Sequence, residues 1–391
     1  MTSREAAIAV EMGFMPRSHA IADPDHPGLL RAGPRTAAPY ASEGMEMHFC
    51  QATDCAREGV AQPSLVEFGF DTADLSGFTA LQEVLAAVRS EGRVSDAASE
   101  QIRSELVGAS LPLVSGVTAK VLFVAEEGFI MRCSGPNRLR VVGAEPTGMN
   151  DHGAATSVHA DQDVFGTPLV QLMDGRAPSL FRHDSPDGSN HDASLMLVNL
   201  WIPLQQITAP LVLADGRSVD RRRHQLRYGL ATDSFLDREE DQVINDIWTF
   251  LHDSAQRWSF RSEMDHRSAY VFDTLSTPHG SCVLPGEDVA EACYLLLEYA
   301  ESAVSGGDVD GLTKLAIDAH RPAMPERTTP ALGAAIAAMI ALVEEASTDP
   351  AGVCGARATQ WLASSREARR RVVRMSLEMR LVVSIDVPSP A

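Results

Sequence analysis

Residues 195–214 read LMLVNLWIPLQQITAPLVLA. Leu195–Ile202 is an apolar run interrupted only by Asn199, and Leu211–Ala214 is a second; Pro203 and Pro210 lie between them. Short apolar runs bounded by turn formers read as strands covered on both faces. Working outward, Lys120–Val124 and Phe129–Cys133 flank Glu126-Glu127-Gly128 and suggest a hairpin. Thr156–His159, Trp258–Arg261, Ala269–Asp273 and Cys293–Tyr299 read as further strands, with Gly, Pro and Asp in the connections. Many short strands without alternating long helices imply a sandwich or jelly-roll barrel, not a doubly wound sheet. One helix is expected to interrupt them at Asp237–Asp253, where Val243, Ile244, Ile247 and Leu251 recur at helical spacing.

The flanks differ. Residues 1–70 read as irregular. Helical signals start at Thr79, where Thr79-x-x-Gln82 resembles a capping box ahead of Leu81, Val84, Leu85 and Val88. A second helix is expected over Ala97–Val107, and three more over Gly311–Ala319, Ala331–Ala346 and the arginine-rich Arg357–Met379. The expected organisation is an N-terminal segment 1–118, a mixed-β catalytic core 119–302 of the double-stranded β-helix (jelly-roll, cupin-like) type, and a C-terminal helical extension 303–391.

The chain has 391 residues, with 33 Lys+Arg against 53 Asp+Glu and a formal charge of −20. Its apolar content of 45% is enough to fold. Such acidity argues against broad nucleic-acid or anionic-membrane binding, which needs basic surface. The N-terminus carries Arg4, Glu5 and Glu11 and lacks the apolar centre of a secretory signal. The longest apolar run, Leu332–Val343, is shorter than the roughly 20 residues a bilayer span needs and reads as a buried helix. Six scattered cysteines in a chain of this size do not suggest a disulfide framework. The cytoplasm is the expected compartment, and a homodimer through the C-terminal helices is one option.

Val158-His159-Ala160-Asp161 is the sharpest chemical feature. Residues two apart on a strand share a face, so His159 and Asp161 would project together. His279, in Thr277-Pro278-His279-Gly280 just past an apolar strand, is the best third ligand. Two imidazoles and one carboxylate on one side of an iron ion make the facial triad of non-haem Fe(II) oxygenases. Signals for a nucleophile elbow, a phosphate-binding loop and a zinc-protease helix are missing from the sequence. The basic stretch from Asp215 to Arg227 reads as a solvated loop paired with acids, and Trp201 and Trp258 read as core aromatics.

Three segments resemble the CmcJ/NvfI-like family of Fe(II)-dependent oxygenases. They are the V-H-x-D motif at 158–161, Asn199-Leu200-Trp201-Ile202-Pro203 leading to Pro210-Leu211 and Asp215, and Phe272-Asp273 leading to Pro278-His279. The resemblance covers roughly residues 120–300. It implies a double-stranded β-helix core, Fe(II) held by His159, Asp161 and His279, 2-oxoglutarate as cosubstrate, and a small-molecule substrate oxidised with O2 in secondary metabolism such as antibiotic biosynthesis. The retained carboxylate at Asp161 favours hydroxylation, desaturation or ring formation over halogenation. Ile202 stands where the family has Arg, and Leu284-Pro285-Gly286-Glu287-Asp288 lacks the family's downstream arginines. A cosubstrate carboxylate needs a cation, for which Arg267, Arg261 and Arg182 are the candidates. The alternatives are an iron oxidase that uses no 2-oxoglutarate, a non-catalytic accessory barrel for a partner enzyme, and a zinc hydrolase on the same triad.

Overall fold

The computed structural model describes residues 7–33, 44–125, 129–141, 149–162, 195–231, 244–315 and 324–386. Its strands in chain order begin with β1 (Ala7–Phe14), β2 (Ala20–Ala22), β3 (Leu30–Ala32), β4 (Glu46–Asp54) and β5 (Phe70–Asp74). Next come β6 (Ser110–Pro112), β7 (Thr118–Val124), β8 (Ile130–Ser134), β9 (His159–Ala160), β10 (Leu195–Gln205) and β11 (Leu211–Ala214). The rest are β12 (Gln225–Ala231), β13 (Ile244–Phe250), β14 (Trp258–Phe260), β15 (Ser268–Asp273), β16 (His279–Ser281) and β17 (Arg374–Asp386). The longer helices are α1 (Thr79–Glu91), α2 (Asp96–Leu106), α3 (Glu287–Gly306), α4 (Pro330–Thr348) and α5 (Ala358–Arg371).

Two sheets carry the core. A ten-stranded sheet runs β1-β4-β14-β11-β16-β9-β13-β12-β3-β2, and a seven-stranded sheet runs β5-β15-β10-β17-β7-β6, with β8 also on β17. The first sheet curls until β1 bonds back to the segments beside β9 and β16, through Glu11–Val283 and Gly13–Ser157 bridges. Ile8, Val10, Met12, Ala52, Val158, Val212, Trp258 and Phe260 fill the inside of that curl. The second sheet buries Val198, Leu200, Ile202, Val271, Leu377, Met379 and Leu381 against Leu81, Leu85, Val88, Ile102 and Leu106 of α1 and α2. Helices α3, α4 and α5 form a third apolar cluster around Leu297, Ile336, Met339 and Trp361. This is the expected mixed-β jelly-roll class with flanking helices.

As expected, β10 is buried on both faces along nearly its whole length, and Leu332–Val343 lies within a helix that packs Leu332, Ile336, Met339 and Val343 inward. Trp201 and Trp258 are buried. Several expectations are corrected. The described residues of 1–70 are not irregular, since β1, β4 and β5 join the main sheets. The described part of 237–253 is strand β13, because Ile247-Trp248-Thr249-Phe250 is an aromatic and β-branched run buried on both faces. Cys293–Tyr299 belongs to α3: Cys293, Leu297 and Ala300 are buried while Leu295 and Tyr299 are exposed, a helical and not an alternating period. Thr79 does not cap α1; Phe78 occupies the cap position and Gln82 donates to the Leu75 and His266 carbonyls. β7 and β8 do not pair as a hairpin. Both pair with β17, which at 13 residues is long enough to take them in succession.

The largest correction is at the C-terminus. The expected helix 357–379 ends at Arg371, and β17 starts at Arg374. From there the sequence alternates. Met375, Leu377, Met379, Leu381 and Val383 enter the apolar core below α1 and α2, so Arg374, Ser376, Glu378 and Arg380 take the opposite face. β17 then lies between β10 and β7 in the middle of the second sheet. Strands from all three expected segments therefore share the two sheets.

Glu287, at the start of α3, ties the helical cluster to the core. It is fully buried, and its carboxylate accepts from the backbone N–H groups of Ala209, Leu284 and Asn137 at 2.7, 3.0 and 2.8 Å. Ala209 and Asn137 both hold left-handed backbone at φ 44° and 51°, which non-glycine residues keep only when their surroundings fix it. Burial raises the Glu287 carboxyl from 4.5 to about 7. Folding thus favours its acid form, so this contribution is present below pH 4.5 and is lost as pH rises through about 7. The stability of the native chain relative to Glu287→Gln is expected to fall between pH 5 and pH 7.5, by at most about 3 kcal/mol. Denaturant unfolding at the two pH values measures it, and parallel pH dependence of the two proteins would refute it.

Candidate metal centre

The site grows from strand register. Along one face of the first sheet Thr53, Ser259, Leu213, His279, His159 and Thr249 are successive cross-strand partners. Directly paired residues on neighbouring strands share a face. His159 and His279, 120 positions apart in sequence, are thereby side by side, with ring centroids 4.4 Å apart. The close approach of β16 to this segment needs a glycine at 280, where an added Cβ would come within 3.1 Å of the Ser157 carbonyl oxygen.

On the second sheet a facing row runs Phe70, Phe272, Asn199, Arg380. Phe272 lies against His279 with ring centroids 4.5 Å apart. Asp161, one residue beyond β9, sits between the sheets. The Asn199 side-chain amide donates to Asp161 Oδ2, and Thr274 Oγ1 donates to Asn199 Oδ1 at 3.2 Å.

His159, Asp161 and His279 each offer one donor atom, and the three atoms lie within 4.8 Å of one another. Nε2 of His159 is 3.5 Å from Asp161 Oδ1, and Nε2 of His279 is 3.6 Å from Oδ2. Each ring places Nδ1 against a backbone carbonyl, Ser157 O at 2.8 Å and Thr277 O at 3.0 Å. A carbonyl can only accept, so Nδ1 carries the proton and the Nε2 lone pairs point at the shared space. Burial holds the His279 imidazole down at about 4, hence neutral and able to ligate near neutral pH. Burial alone would raise the Asp161 carboxyl, but the neighbouring histidines and the Arg380 charge hold it well below the carboxylate range. Two imidazoles with Nε2 turned inward and an ionised carboxylate, each braced by an outer hydrogen bond, are a donor set suited to a divalent metal.

The arginines expected to hold a cosubstrate are not placed for it. Arg267 is exposed and paired with Asp265. Arg261 donates to the Cys55 carbonyl and to Gln62. Arg182 lies outside the described residues. Arg374 and Arg380, within and just after the expected helix 357–379, lie instead on the face of β17 turned away from α1 and α2. Arg374 is 1% exposed, with Nη1 donating to Ser281 Oγ at 3.0 Å and its guanidinium 5.7 Å from the Trp201 ring. Ser281 follows His279 by two positions on the same strand, hence on the same face. Among the described residues, Nε and Nη2 of Arg374 have no hydrogen-bond partner, and neither do the Ser376 hydroxyl and the Arg380 Nε. Burial lowers Arg374 to about 10, which leaves it charged at neutral pH. Glu378, between them, pairs with Arg132 at 3.1 Å. The strict alternation of Arg374-Met-Ser-Leu-Glu-Met-Arg380 was the signal that could have found them.

The basic stretch 215–227 is only partly solvated. Arg223 is exposed, whereas Arg227 is buried and pairs with Asp23 at 3.1 Å. A groove of about 910 Å³ lies around Ser259 and Thr53, two and three strands along the row from His279. Its Arg217 and Arg257 both bind Asp215, so it offers no unpaired cation comparable to Arg374.

No protein-family model matches this chain, and no curated protein matches it. Among solved structures it is similar to the iron and alpha-ketoglutarate-dependent endoperoxidase NvfI, at 13% identity over 97% of this chain and 98% of that one, with a TM-score of 0.43. A second structure of that protein in a different conformation gives 14%, the same coverage and 0.43. A tryptophan-to-phenylalanine variant of it gives 13%, 98% and 99% coverage, and 0.46.

Asn199→Ala removes the donor that holds Asp161 across the two sheets. It is expected to lower divalent-metal affinity by about 10–100-fold, measured by Co(II) absorption titration of the folded variant. An unchanged titration would show that Asp161 needs no such support.

Proposed function

We propose that this chain is a non-haem Fe(II), 2-oxoglutarate-dependent oxygenase that oxidises a C–H bond of a small natural-product or amino-acid-derived intermediate in the cytoplasm. The observation that carries the reading is the meeting of His159, Asp161 and His279, with both Nδ1 atoms engaged by backbone carbonyls and both Nε2 atoms turned to the carboxylate. These residues would hold the Fe(II). Bound there with 2-oxoglutarate, the metal supplies the oxidising power for O2-dependent C–H chemistry.

The chain's own residues do the rest. Asn199 and Thr274 fix the carboxylate. Phe272, Trp201 and Leu213 wall the space with apolar surface and keep bulk water away from the reacting centre. Arg374 would take the far carboxylate of 2-oxoglutarate with its unused Nε and Nη2, with the Ser376 hydroxyl as a further donor. An Arg fork on a carboxylate is a strong, directional contact in a dry site. The absence of the family's arginine after His279 was the ground for an oxidase without 2-oxoglutarate. A buried, under-used guanidinium reaching Ser281 from another strand removes that ground.

Anaerobic addition of Fe(II) and 2-oxoglutarate is expected to produce the visible charge-transfer band of the bound pair. His159→Ala and His279→Ala should lose iron and the band together. Arg374→Gln should keep iron while binding 2-oxoglutarate about 100-fold more weakly. Oxygen uptake with no requirement for 2-oxoglutarate and no succinate release would instead identify the cosubstrate-free oxidase.

A further inference from the structure

We propose that the substrate carries a carboxylate and that Arg380 binds it beside Asp161. This rests on the function proposed above and adds the substrate class.

Arg380 lies directly across the strand pair from Asn199, the residue whose amide holds Asp161. It is 8% exposed, its Nε has no hydrogen-bond partner, and its guanidinium makes no ion pair or side-chain hydrogen bond among the described residues. Its Nε is a buried donor left without an acceptor, which is costly beside a full charge. Its near neighbours do not satisfy it. Glu378, two positions away on the same face, is bound to Arg132. Asp161 feels the Arg380 charge through space but makes no ion pair with it, and its oxygens face the two histidines and Asn199.

The charges lead to the same place. Arg132 and Glu378 cancel, and Asp161 offsets one of the two remaining arginines. Glu287, the other acid whose charge reaches Arg374, is raised to about 7 by burial and is only partly ionised at neutral pH. Fe(II) and doubly charged 2-oxoglutarate neutralise each other. One positive charge is left over, and Arg374 is already used by the cosubstrate. Arg380 also keeps more exposure than the sealed Arg374, 8% against 1%. A group that enters after the cosubstrate is therefore met by Arg380, and a monoanionic carboxylate completes both its hydrogen bonds and the charge balance.

The test uses benzoate against benzamide, and cyclohexanecarboxylate against its amide. Each is added to the anaerobic protein with Fe(II) and saturating 2-oxoglutarate, and again to the protein without either. Ligand-observed NMR gives affinities, and the charge-transfer band reports the cosubstrate. The native protein is expected to prefer each carboxylate over its amide by about tenfold or more. Arg380→Gln should abolish that preference and leave the band and 2-oxoglutarate affinity in place, while Arg374→Gln should do the reverse. If Arg380→Gln does not fold, Arg380→Lys carries the comparison, because it keeps the charge and loses the fork: a reduced preference supports the assignment and an unchanged one overturns it. Equal binding of acid and amide by the native protein also overturns it, as does loss of the band in Arg380→Gln, which would hand Arg380 to the cosubstrate. A missing band in the native protein with the carboxylate preference intact defeats the oxygenase reading and leaves the anion site standing.

Discussion

A carboxylate buried between two sheets stays ionised only if donors or cations from both sides hold it, and Asp161 is placed under that constraint. One side of it faces His159 and His279 on the first sheet, and the other takes the amide of Asn199 on the second. The contact fixes more than one side chain. It sets the spacing of the two rows of cross-strand partners, so that Phe272 meets His279 and Arg380 lies next to the site. It also explains the one polar residue among nine consecutive buried positions of β10: Asn199, 3% exposed.

β17 is the second element on which the site depends. It comes after the helical cluster in the chain, yet it occupies the middle of the second sheet, between β10 and β7. Its two faces serve different ends. Met375, Leu377, Met379 and Leu381 are almost wholly buried under α1 and α2, and side chains of this kind each contribute about 1.5–3 kcal/mol by leaving water. That burial is large enough to hold Arg374, Glu378 and Arg380 on the opposite, inward face, where their desolvation is unfavourable. Apolar packing on one side thus maintains a set of incompletely satisfied charges on the other. The helical cluster is connected to this arrangement by Glu287 and by the Thr208 hydroxyl, which donates to the Val372 carbonyl at 2.7 Å just ahead of β17.

Unsatisfied buried polar atoms are uncommon in folded proteins, and each calls for a physical reason. Here Arg374 Nε and Nη2, Ser376 Oγ and Arg380 Nε all belong to one face of one strand, and that strand borders the triad. Elsewhere in the chain Arg217, Arg257, Arg267 and Arg369 each have a carboxylate partner.

Much of the centre was legible in the sequence. His159 and Asp161 are separated by one residue, so a strand or a tight extended segment brings them together by local geometry alone. The apolar runs at 195–202 and 211–214 marked their strands because burial on both faces leaves a continuous signature. His279 was legible only as a histidine following a strand; its pairing with His159 is a matter of register between strands distant in sequence. The reading failed where a short window supports two periods. Residues 293–299 and 244–250 are stretches of similar length whose apolar residues fit either period, and only their packing makes one a helix and the other a strand. The arginine-rich stretch up to residue 379 read as one long helix, although the alternation after residue 374 marks a strand. Local composition determined which side chains could ligate a metal and which segments had to be buried. Only the tertiary structure decided which cations stand beside them, because β17 reaches the site through contacts with strands more than 90 residues earlier in the chain, and no local pattern encodes such a distance.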